Sequence, residues 1–134
     1  MSASGAKLAS EARQSGVTTA IAGRHAIDHE HLERITLGDR RLECEVLQIF
    51  VRQSAMMLER ISSGQLGALG MAAHTLIGSA RGIGAWRVAD AAETLERAGR
   101  EGRDEDIGEA IAELKSASLE ATAAIGARLG EPSR

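Results

Sequence analysis

The sequence predicts an all-α protein, an up-down four-helix bundle with a short extra helix on its N-terminal side. Three observations carry this. Aromatic residues make up only 1% of the chain, one Phe and one Trp with no Tyr, so the aromatic and β-branched runs of a β-protein are missing. The single proline is Pro132, which leaves the preceding sequence without that helix breaker. Alanine, leucine, glutamate and arginine dominate, and their apolar members recur at helical spacing.

The elements follow in order. Residues 1–25 are rich in Ser, Thr, Gly and Ala and read as a mobile tail, with a marginal helix around Lys7 to Arg13. Residues 26–130 form the folded domain. Asp28 is placed to cap a short helix through Ile35. Gly38 breaks it, and Asp39 caps a second helix that runs to about Ser62. That helix carries Leu42, Val46, Ile49, Phe50, Met57 and Ile61 at helical spacing as its expected inward face. Ser62-Ser63-Gly64 is a turn. A third helix runs from about Gln65 to Arg81, and Gly82 to Gly84 make a tight connection. A fourth helix follows from about Ala85 to Arg100, with Val88, Ala92 and Leu95 inward. Gly102 ends it and Asp104 is placed to cap the fifth, whose inward stripe is Ile107, Ile111, Leu114, Ser118, Ala121 and Ile125. Four long helices joined by short turns pack up and down, and the short first helix lids one end.

Composition also narrows the function. A net charge of −3 makes no general case for binding nucleic acid or an anionic membrane. No apolar run approaches the roughly 18 residues that span a bilayer. The N-terminus has no apolar segment of a secretory signal, so a cytoplasmic location is expected. Cys44 is the single cysteine, expected as a buried thiol in a reducing compartment. A monomer is expected. There is no Gly-x-x-x-x-Gly-Lys-Ser/Thr loop or other nucleotide fingerprint, and nothing supports a kinase that uses ATP.

The third helix holds the feature that asks for a function. At about 100° per residue, Leu69, Ala72, Ala73, Leu76, Ala80 and Ile83 form one apolar stripe, and His74 lies about 160° from Leu76 on the opposite side. Gly67, Met71, Gly78 and Arg81 lie within about 60° of His74 on the same projection. Gly67, Gly70, Gly78 and Gly82 crowd this helix although an interior glycine costs roughly 1 kcal/mol against alanine. A strip nearly free of bulk around one imidazole is a sign of contact with something outside the chain.

The run Ala73-His74-Thr75-Leu76-Ile77-Gly78-Ser79, followed by Gly84-Ala85 and then Leu95-Glu96, resembles the histidine-containing phosphotransfer (HPt) domain of bacterial phosphorelays. Upstream, Ile27-Asp28 with Leu32, and Gly38-Asp39 with Leu42, Leu47 and Phe50, also match. The resemblance covers about residues 27–126. It implies a four-helix bundle in which His74 is the phosphorylated residue. It implies response-regulator receiver domains and a hybrid histidine kinase as partners, with any Mg²⁺ supplied by the receiver and no cofactor of the carrier's own. On the same ground Glu96 is the acceptor that orients the imidazole and leaves its outer nitrogen to attack. The family's usual lysine, three residues after the histidine, is replaced here by Ile77. Arg81, within about 20° of His74 and two turns on, can supply the missing positive charge.

The chemistry is consistent with the resemblance. Neutral imidazole, with an ordinary pKa of about 6.5, is a competent nucleophile near pH 7. Phosphoryl transfer demands mainly placement and charge stabilisation, and the attacking nitrogen must enter a partner's acidic pocket. A bare Gly78 allows that approach. The expected site is therefore His74, supported by Glu96, Gly78, Ser79 and Arg81. Its expected docking face is Gly67, Gly70, Met71 and Ile77, with Met71 and Ile77 as exposed apolar members. Two other readings stand beside this one. A degenerate domain of the same fold could dock to receivers without being phosphorylated. The close spacing of His25, His29 and His31 could instead mark a metal site, although no bound metal is expected.

Overall fold

The computed structural model describes residues 26–64 and 66–131. The expected tail at 1–25, with His25, lies outside the described residues. The helices are α1 (His29–Ile35), α2 (Arg40–Ser62), α3 (Leu66–Ile83), α4 (Trp86–Arg100) and α5 (Asp104–Leu129). α2, α3, α4 and α5 form a closed ring in which each packs on its neighbours, and α1 touches α3. This is the four-helix bundle with a short N-terminal helix that the sequence predicts.

Local chemistry sets the helix starts. The Asp28 carboxylate accepts from His31 N and caps α1. The Asp39 carboxylate accepts from Arg41 N and Leu42 N and caps α2. Between them the chain reverses through Leu37 and Gly38, both at positive φ. α5 departs from expectation: Arg103 occupies the N-cap position without a capping side-chain hydrogen bond, and Asp104 is the first helical residue. Asp104, Glu105 and Asp106 together place negative charge in the first turn, where it complements the helix dipole.

The core is aliphatic and rich in alanine. Leu69, Ala72, Ala73, Leu76, Ala80 and Ile83 of α3 are buried, as are Val88, Ala89, Ala92 and Leu95 of α4. Leu114, Ala121 and Ile125 of α5 are buried with Ser118, while Ile107 and Ile111 are partly buried against the core. The inward face of α2 is shifted from expectation. Glu43, Leu47, Phe50, Ser54, Met57 and Ile61 face in, whereas Leu42 and Ile49 face solvent and Val46 is half-buried. Burial of Leu47, Phe50, Met57 and Ile61 sets this phase, and it carries the Glu43 carboxylate inward. Arg128 Nε donates to Glu43 Oε2, and Arg40 Nη2 donates to Arg128 O at 2.7 Å and to Glu131 O at 3.1 Å. This pairing lets Glu43 take the core position and ties the start of α2 to the end of α5. The Glu43 hydrogen bond raises the Arg128 pKa. Cys44 is half-buried instead of fully buried.

The α3–α4 turn is fixed by α1. Gly84 has φ +84, and a Cβ there would sit 2.9 Å from Asp28 Cβ. Asp28 N donates to Gly84 O, and Trp86 Nε1 donates to the second oxygen of the Asp28 carboxylate at 2.9 Å. His31 Nε2 lies 3.1 Å from Gly82 O, and its ring meets Trp86 edge-on. α1 is thus the lid on this end of the bundle.

Candidate functional site

The site is built on the outward face of α3. Burying the Leu69–Leu76–Ile83 stripe turns His74 to solvent, where its side chain is 77% exposed. α4 runs alongside and brings up Glu96. His74 Nδ1 and Glu96 Oε2 are 3.1 Å apart, and the Glu96 side chain is 24% exposed. An ionised carboxylate only accepts, so Nδ1 is the donor in this contact and Nε2 is left outside it. Glu96 is itself oriented by the α4 periodicity, which buries its neighbour Leu95.

Gly67 and Gly78 are exposed and Gly70 is half-exposed. A Cβ built at any of the three meets no atom within 4 Å, and none has a positive φ. Neither backbone strain nor internal packing requires glycine there. The bareness faces outward, around His74.

The other expected residues separate. Arg81 Nη2 donates to Glu93 Oε2 at 2.8 Å, so it stands on the His74 face paired with α4. Ser79 is turned away from the imidazole, and its Oγ donates to Gln53 Oε1 of α2 at 2.7 Å. Met71 is 76% exposed, as expected. Ile77 is the correction: it is only 6% exposed and belongs to the core. α4 covers that flank of α3, as the His74–Glu96 and Arg81–Glu93 contacts show, so the buried arc extends one position beyond the predicted stripe.

The apolar surface beside His74 lies on its other flank. An open groove of about 670 Å³ between α2 and α3 is lined by Met56, Glu59, Arg60, Ala68, Met71 and Thr75, among others. Met56 was not an expected member. Its sequence signal is the Leu42–Ile49–Met56 spacing of seven, which is an outward stripe when Leu47, Phe50, Met57 and Ile61 face in.

His29 is exposed and His31 is engaged with Gly82 and Trp86. Among the described residues no three His, Cys, Asp or Glu side chains group so as to hold a metal ion. No helix among them is long and apolar enough to cross a membrane.

A helical bundle that displays one carboxylate-backed imidazole on a bare strip has the architecture of a carrier that offers a nucleophile to another protein. Comparisons agree. The Hpt domain family model matches residues 45–125, well over half of the chain and inclusive of His74 and Glu96. Histidine-containing phosphotransfer protein B (HptB) from Pseudomonas aeruginosa PAO1 superposes with a TM-score of 0.73 at 18% identity, covering 81% of this chain and 98% of its own. A rice protein assigned as a histidine-containing phosphotransfer protein gives a TM-score of 0.71 at 14% identity, covering 92% and 94%. At these identities the two structures establish the fold. A search of curated sequences returned no significant match. The chain belongs to the Hpt domain family, the histidine phosphotransfer carriers of phosphorelays, which work with kinases and receiver domains and are phosphocarriers rather than conventional enzymes.

Proposed function

We propose that His74 is the phosphorylated residue and that Nε2 is its nucleophilic atom. The observation that carries this is the His74–Glu96 contact at 3.1 Å, with the ring otherwise open to solvent. The Nε2 lone pair attacks the phosphorus of a receiver's aspartyl phosphate. The N–P bond forms as the P–O bond to the aspartate breaks, and the receiver's carboxylate leaves. Nδ1 keeps its proton on Glu96, whose negative charge offsets the positive charge gained by the ring. Transfer onward to a second receiver is the reverse of this step.

The partners are response-regulator receiver domains and a hybrid histidine kinase. Mg²⁺ comes with the receiver, and the carrier itself binds no ATP. It acts as a cytoplasmic monomer. The receiver covers Gly67, Gly70, Met71 and Gly78 and reaches across the groove to Met56. Arg81 lies at the rim, while Ile77 supports it from below and Ser79 holds α3 to α2. Incubation with a phosphorylated receiver is expected to place acid-labile phosphate on the wild-type chain and none on His74→Gln. Equal labelling of the two proteins would contradict the assignment.

A further inference from the structure

His74 and Arg81 are seven residues apart on α3, about 10 Å of helix rise at 1.5 Å per residue. Their partners on α4, Glu96 and Glu93, are only three residues apart, about 4.5 Å of rise and neighbours on one helix face. Hydrogen bonds of 3.1 and 2.8 Å close the two pairs, so residues about two turns apart on α3 are bonded to residues less than one turn apart on α4. The path from Arg81 toward His74 runs along the exposed face of α3 between them. Gly78, exposed and without a side chain, leaves that path open.

A phosphoryl group on Nε2 changes the charges here. It adds a charge of about −1.5 to −2 and three strong acceptor oxygens beside two carboxylates already present. The charged groups flanking it are Glu96, Glu93 and Arg81, paired across α3 and α4, with Arg97 and Arg100 beside and one turn beyond Glu96 on α4, and Glu59 and Arg60 in the α2 groove. Arg81 is the cation among these already hydrogen-bonded on the His74 face. Its pair with Glu93 has side-chain exposures of 53% and 43%. Such solvent-exposed pairs are weak and are given up easily. A phosphoryl dianion is the stronger acceptor for a guanidinium, which can bind it through two parallel N–H donors.

We propose that Arg81 exchanges partners on phosphorylation, leaving Glu93 for the phosphoryl group on His74, and that Glu93 tunes this exchange by competing for the guanidinium. Arg81 is thus a positioning residue for the phosphorylated state, and Glu93 holds it back in the unphosphorylated one. This rests on the assignment of His74 as the phosphorylated residue.

The test uses the full chain and phosphoramidate, a small-molecule phosphoryl donor that needs no partner protein, with ³¹P NMR as the readout. A phosphohistidine resonance in wild type that is missing from His74→Gln secures the underlying assignment. Its persistence in His74→Gln, or its absence from wild type, removes that assignment, a failure separate from failure of the exchange itself. With the resonance in hand, its shift is titrated against pH in Arg81→Ala, Glu93→Gln, the double variant and Arg60→Ala. The expected result is a midpoint raised by about half a pH unit in Arg81→Ala, the scale of an exposed ion pair. In Glu93→Gln the midpoint falls, and most of that fall disappears in the double variant, because Glu93 acts through Arg81. Arg60→Ala leaves it in place. An unmoved midpoint in Arg81→Ala, a Glu93→Gln shift of equal size with and without Arg81, or a larger effect from Arg60→Ala would each overturn the exchange.

Discussion

The 3.1 Å contact between His74 Nδ1 and Glu96 Oε2 joins a solvent-facing imidazole on one helix to a mostly buried carboxylate on the next. Orientation and charge are both supplied by Glu96, and substitution separates them. Glu96→Gln keeps an acceptor for Nδ1–H and loses the charge, whereas Glu96→Ala loses both. Transfer from a phosphorylated receiver is expected to slow by up to about fivefold in Glu96→Gln, the scale of an exposed pair, and by more in Glu96→Ala. Equal rates in the two variants would place the whole effect on charge.

Gly78 divides folding from docking. A Cβ there meets nothing, so Gly78→Ala is expected to stabilise the chain by up to about 1 kcal/mol in urea unfolding. Gly78→Gln should keep the helical spectrum and slow phosphotransfer. A wild-type transfer rate in Gly78→Gln would show that the bare strip is not a contact surface.

Ile77 holds the position of the family's usual lysine, but it is 6% exposed under the α4 flank. Ile77→Lys must bury part of a cationic side chain or carry it out along its stem. Its expected outcome is a loss of about 1–3 kcal/mol of stability with no gain in transfer rate. A faster and equally stable Ile77→Lys protein would show that this flank opens readily.

The α1 lid should respond to acid. The Trp86 indole hydrogen bond, and then the His31 backbone N–H, hold the Asp28 pKa below its ordinary 3.8. A depressed carboxylate contributes stability that is fully present above the ordinary value and is lost as pH falls through the lowered one. Trp86, the single tryptophan, should therefore report lid release only below about pH 4, through a change in its emission. Asp28→Ala should produce the released emission at neutral pH and cost about 1 kcal/mol through the lost N-cap. Unchanged emission in that variant would mean that α1 is held without Asp28.

Much of this was legible in the sequence because it is local. Asp28 and Asp39 cap helices through hydrogen bonds within three residues, and the α3 stripe needs only the helical period. The phase of α2 was not legible, because it carries Glu43 inward, where the carboxylate is satisfied by Arg40 and by Arg128, 85 residues away. Periodicity located the centre of the α3 apolar arc but not its width, which is why Ile77 was expected outside. Glu96 could not be paired with His74 by spacing alone, since the contact depends on how α4 packs on α3. The resemblance supplied it.

The ring nitrogen that carries phosphorus is the sharpest test of the roles given to His74 and Glu96. Long-range ¹H–¹⁵N NMR of the chain, phosphorylated by a receiver, distinguishes the two ring nitrogens of each histidine. Phosphorus is expected on Nε2 of His74, with Nδ1 still protonated. Phosphorus on Nδ1 of His74, or on His29 or His31, would contradict those roles.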